Sequence, residues 1–111
     1  MTRSRLLPAA LFAALLPATV LADGEVVIVE MVDNEFVPEK VEITTGTTVR
    51  WENVERRNNH DVYFADEDIA SPRLFPEDSW ERTFDEPGTY DYICRPHEDR
   101  GMKGVVHVTD D

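Results

Sequence analysis

The chain has 111 residues, 23 acidic against 11 basic side chains for a formal charge of −12, and a single cysteine. That length is one domain, too short for an enzyme built as two halves around a cleft, and one cysteine excludes an internal disulfide. The acidic excess excludes a nucleic-acid backbone as partner, since phosphate binding needs clustered Lys and Arg, whereas 41% hydrophobic residues are too many for a disordered acidic tail.

The first element is a leader. Arg3 and Arg5 precede an apolar run from Leu6 to Leu21, and Val20-Leu21-Ala22 places small residues one and three positions before Asp23. A basic start, a short apolar stretch and a small-residue boundary are the parts of a secretory signal peptide. A membrane anchor is the alternative, but the run falls short of the roughly 20 residues a spanning helix needs and contains Pro8 and Pro17. The expected domains are therefore a signal peptide over residues 1–22 and a mature, exported domain over 23–111, in the periplasm or at the cell surface. Losing Arg3 and Arg5 leaves nine basic residues against 23 acidic, net −14, a charge that suits basic partners or saline surroundings.

After residue 22 no helical stripe of useful length occurs. Short runs follow instead: Val26–Val32, Val41–Thr45, Thr47–Asn53, Asp61–Ala65, Ser79–Phe84, Thr89–Cys94 and Gly104–Thr109. Val41 and Ile43, Val49 and Trp51, Val62 and Phe64, and Tyr90, Tyr92 and Cys94 each recur at every second residue, which puts each set on one face of a strand. Pro38, Gly46, Pro87-Gly88 and Gly101 punctuate the runs. The pattern predicts an all-β Greek-key sandwich of seven to eight strands. The stretches Glu55–Asn59 and Asp66–Asp78 read as solvated polar loops. A domain this small buries only about 60–65% of its unfolded surface, so a bound metal is the local device left to reinforce it.

The segment from Cys94 to Met102 carries the chemistry. It offers a thiol at Cys94, an imidazole at His97 and a thioether at Met102 in a loop between two predicted strands, and a second imidazole, His60, opens another strand 34 residues upstream. Soft sulfur with imidazole selects copper over magnesium or calcium, and two histidines with one cysteine and a weak axial methionine is the donor set of electron-transfer copper sites. Taken singly, each residue has a plainer role as core filler or surface decoration; their ordered spacing between strands favours the metal. His107 lies in the last strand with outward parity and is set aside as a surface residue.

Three pieces resemble the plastocyanin, pseudoazurin and amicyanin group of small blue copper proteins, the cupredoxins, over Glu25 to Val108. They are Phe36-Val37-Pro38 running into Val41-Glu42-Ile43 and Gly46 to Asn53; Asn59-His60-Asp61-Val62; and Gly88 to His97 ending at Gly101-Met102-Lys103-Gly104. The Cys-to-Met interval resembles plastocyanin and pseudoazurin rather than the shorter amicyanin loop, and the acidic composition is similar to halocyanin-like members. The resemblance implies one Cu(I)/Cu(II) ion per chain, with His60, Cys94 and His97 as strong equatorial ligands and Met102 as the long axial one. It further implies that Tyr90 ties a Greek-key corner and that Trp51 and Phe36 are core.

Three departures stand out. Asp61 replaces the usual Asn after the upstream histidine, and a carboxylate there can only accept hydrogen bonds; its charge should lower the potential unless backbone donors or Arg95 offset it. Ile93 replaces the tyrosine that serves a remote partner surface in plant plastocyanins, leaving the edge of His97 as the electron port. Glu98, Asp99 and Arg100 charge the ligand loop, so docking should respond to ionic strength. The implied function is an exported one-electron carrier, monomeric and not an enzyme, serving redox protein partners such as a c-type cytochrome, a membrane oxidase complex or a periplasmic oxidoreductase. Copper binding and trafficking without an electron-transfer role is the alternative; a Cys-His nucleophilic enzyme would leave His60 and Met102 unexplained.

Overall fold

The computed structural model describes residues 24–110; the leader assigned to residues 1–22 lies outside them. Nine strands follow in order: β1 (Val26–Val32), β2 (Glu35–Val37), β3 (Lys40–Thr44), β4 (Thr47–Asn53), β5 (Tyr63–Phe64), β6 (Ile69–Ala70), β7 (Ser79–Phe84), β8 (Gly88–Ile93) and β9 (Lys103–Thr109), with a 3-10 segment over Arg95–Arg100 between the last two. They form two mixed sheets, in the orders β2-β1-β4-β7 and β3-β9-β8-β5-β6. Two pairings are parallel, β1 with β4 and β3 with β9, so the chain crosses repeatedly between the layers of a sandwich.

Alternation explains which face each strand buries. In β4, Thr47, Val49, Trp51 and Asn53 point inward, and in β9 Gly104, Val106 and Val108 do so while His107 faces solvent. The period-2 sets in the sequence therefore mark the core faces. Between the sheets Trp51 packs edge-on to Tyr92 and Phe64, with ring centroids 5.3 and 6.0 Å apart, and Phe36 meets Tyr92 at 4.7 Å. Each such ring removes a large apolar area from water, about 1.5–3 kcal/mol apiece. Gly104 is required where β9 passes Tyr92, because a Cβ there would run into the tyrosine hydroxyl. The Tyr90 hydroxyl donates to the Glu86 carbonyl at 2.7 Å, which closes the corner before β8.

Two of the nine strands, β2 and β6, lie outside the seven runs read from the sequence. Asp33 and Asn34 both take positive φ, 54° and 62°, the backbone of a tight two-residue hairpin turn, and β2 pairs back on β1 with Glu35 opposite Val32. The short strand β6 pairs with β5 inside what the sequence reads as a loop. Conversely, only Tyr63–Phe64 of the run Asp61–Ala65 is strand, because His60, Asp61 and Val62 are buried in succession and bond outside the ladder.

Candidate metal centre

His60 follows β4 through a loop that Asn53 organises. The buried Asn53 amide donates to the carbonyls of Asn58 and Leu74 at 2.9 and 3.0 Å, and its oxygen accepts the Glu55 N–H at 3.0 Å. His60 then exchanges both backbone hydrogen bonds with Leu74, and the Val62 N–H donates to Ser71 Oγ at 3.0 Å. These bonds satisfy a segment that would otherwise bury its backbone without partners. The His60 side chain is 0% exposed.

The other donors come from the turn joining β8 to β9. Cys94 extends β8, and its N–H donates to the Met102 carbonyl at 3.0 Å. The intervening 3-10 segment carries His97 and ends at Gly101, which adopts φ 76°, the left-handed conformation that reverses the chain at little cost only for glycine. Met102 follows at 1% exposure with its N–H on the His97 carbonyl. A strand end and a strand start, paired across one turn, thus bring Cys94, His97 and Met102 to the same end of the sandwich as His60.

Three donor atoms converge. His60 Nδ1 and His97 Nδ1 lie 3.2 Å apart, and Cys94 Sγ lies 3.7 Å from the first and 3.5 Å from the second. A triangle with those edges fits one ion held at metal–nitrogen and metal–sulfur distances of about 2.0–2.3 Å. Two imidazole nitrogens and a thiol aimed at one point form a soft donor set that suits copper. Burial pushes the Cys94 thiol above its ordinary pKa, partly countered by backbone N–H groups of Asp61 and His97; the proton must leave when the sulfur ligates. His97 is lowered by its burial, by His60 and by Arg100. Neutral imidazole is the form that binds metal.

Asp61 and Glu55 flank this cluster differently. Asp61 is 1% exposed; its Oδ1 accepts the Arg95 N–H at 2.9 Å and its Oδ2 accepts Arg95 Nε at 2.7 Å. The same guanidinium lies over the Tyr63 ring, 4.4 Å from its centroid. Both of the offsets considered for the Asp61 charge, a backbone donor and Arg95, are therefore present in one residue. Glu55 corrects the reading of 55–59 as a solvated loop: its side chain is 13% exposed and its Oε1 sits 3.0 Å from His60 Nε2. Its other oxygen accepts the Asp33 N–H. Desolvation raises its pKa, but the hydrogen bonds from Asp33, His60 and Asn58 outweigh that and hold the carboxyl below its ordinary value. Strand periodicity carried no signal for Glu55; the turn at Asn53 places it.

The family profile described as copper binding proteins, plastocyanin/azurin family, matches residues 25–109. Amicyanin-alpha of Methylorubrum extorquens is 36% identical over 105 residues, 90% of this chain and 86% of that protein. Halocyanin of Natronomonas pharaonis is 36% identical over 76% of this chain and 56% of its own length. Among solved structures, an oxidised mutant of amicyanin superposes with a TM-score of 0.66 at 31% identity, covering 74% of this chain and 80% of that one. A copper-containing nitrite reductase from Thermus scotoductus gives 0.70 at 34% identity over 77% of this chain, which spans 22% of that protein.

Proposed function

The chain belongs to the plastocyanin/azurin family of copper-binding proteins, the cupredoxins, and from that premise we propose that it is an exported one-electron carrier working between redox protein partners. Its relatives in the family are electron carriers, and the cofactor is a single copper. His60, Cys94, His97 and Met102 would hold the ion, and copper bound there would supply a one-electron couple.

One observation carries the reading: of the four donor residues, His60, Cys94 and Met102 are 0–1% exposed, and only His97 reaches the surface. The buried residues keep water and substrates away and fix the ligand geometry, so little rearrangement accompanies a change of charge. The His97 edge offers a partner a short route to the site. This is a layout for passing electrons rather than transforming a substrate, and the reductase activity in the name of the Thermus protein belongs to a chain of which this one matches a fifth.

The leader reading rests on the sequence of residues 1–22, and a mature N-terminus at Asp23 in exported protein is its expected outcome. For the site, visible and paramagnetic-resonance spectra of the protein loaded with cupric salt should show an intense thiolate-to-copper band with a narrow copper hyperfine splitting. A pale solution without that band would defeat the assignment, and slow, irreversible redox cycling in a blue protein would favour copper delivery over electron carriage.

A further inference from the structure

We infer that Glu55 is a positioning residue for the metal centre: its carboxylate fixes the tautomer of His60 and, as the less compensated of the two flanking charges, biases a bound copper toward the oxidised state. This rests on the copper-carrier reading above and concerns how that site is tuned.

The geometry leaves one arrangement for the His60 imidazole. Nδ1 points at Cys94 Sγ and His97 Nδ1, so in the neutral ring the proton belongs on Nε2, where it donates to Glu55 Oε1 at 3.0 Å. Glu55 is itself held by the Asp33 N–H, a contact from the β1–β2 turn, and by the bond of its own N–H to Asn53. A carboxylate behind a ligating imidazole makes the ring a stronger donor, which stabilises the more highly charged metal state.

Asp61 is also buried beside the cluster, yet its oxygens are taken by Arg95, and that ion pair adds little net charge. Among the described residues the ion-pair contact of Glu55 is with His60 itself. Of the two carboxylates, Glu55 therefore delivers its charge to the ligand.

Two substitutions separate charge from hydrogen bond. Glu55→Gln keeps an acceptor oxygen and removes the charge; Glu55→Ala removes both. In the copper-free protein, imidazole nitrogen NMR should find His60 protonated at Nε2 in wild type and in Glu55→Gln, with Nε2–H exchange speeded in Glu55→Ala. In the copper-loaded protein both variants should keep the blue band, and Glu55→Gln should move the oxidised-to-reduced equilibrium toward the reduced state by roughly tenfold, about 59 mV for one electron. A proton on Nδ1 in unmutated copper-free protein would overturn the inference without any variant. So would a blue Glu55→Gln protein with an unchanged potential, a result that leaves the carrier reading intact; a wild-type protein that never turns blue defeats the carrier reading instead.

Discussion

The two segments that supply the donors are built in opposite ways. The His60 segment is buried along three consecutive residues and stitched to Ser71, Leu74 and Glu55. The Arg95–Arg100 turn contains no buried residue and is held by backbone bonds among Cys94, His97 and Met102 and by Arg95 on Asp61. One half of the site is thus fixed by hydrogen bonds to the scaffold. The other half is an exposed turn that carries the accessible histidine.

The largest expected effect removes the shared corner of both halves. Cys94→Ala should abolish the intense visible band entirely, and any residual band of that kind would reassign the sulfur. Next comes a test of the asymmetry itself. In His97→Gly, added imidazole should restore the band because the vacated position opens to solvent; in His60→Gly it should not, because that position is sealed. Equal rescue of both would break the contrast. Third, Asn53→Ala removes three hydrogen bonds under the His60 loop, one buried and two part-buried, and should lower unfolding free energy by about 2–3 kcal/mol, read as a lower denaturant midpoint with an unchanged slope. The smallest effect is expected from Asp61→Asn. Arg95, released from its partner, swings into water as the acidic charge disappears, so the potential should rise by less than in Glu55→Gln; a larger rise would make Asp61 the dominant charge.

The core was legible in the sequence because burial on one sheet face writes itself as a period of two, and Val49, Trp51, Val62, Phe64 and Tyr92 all lie where that period puts them. The donor cluster was legible because cysteine, histidine and methionine are scarce, so their spacing stands out. What escaped notice has no period. The strand β2 is three residues long and follows from the backbone of Asp33 and Asn34 rather than from alternation. The role of Glu55 depends on a turn folded by side-chain hydrogen bonds, and in a chain with 23 acidic residues one more carboxylate carries no mark of its contacts. Asp61 was visible as a departure, but its pairing with Arg95 needed the approach of segments 34 residues apart.

The parallel pairing of β3 with β9 has a consequence for how the molecule comes into being. Residues 40–44 have no neighbour on that side until residues 105–109 arrive, and such distant partners are slow to find one another. A nascent chain that has reached only Met102 already contains every donor, yet has no β9 ladder to draw Met102 back against Cys94. The donors accordingly reach the arrangement seen here only once β9 has been made and has paired with β3 and β8.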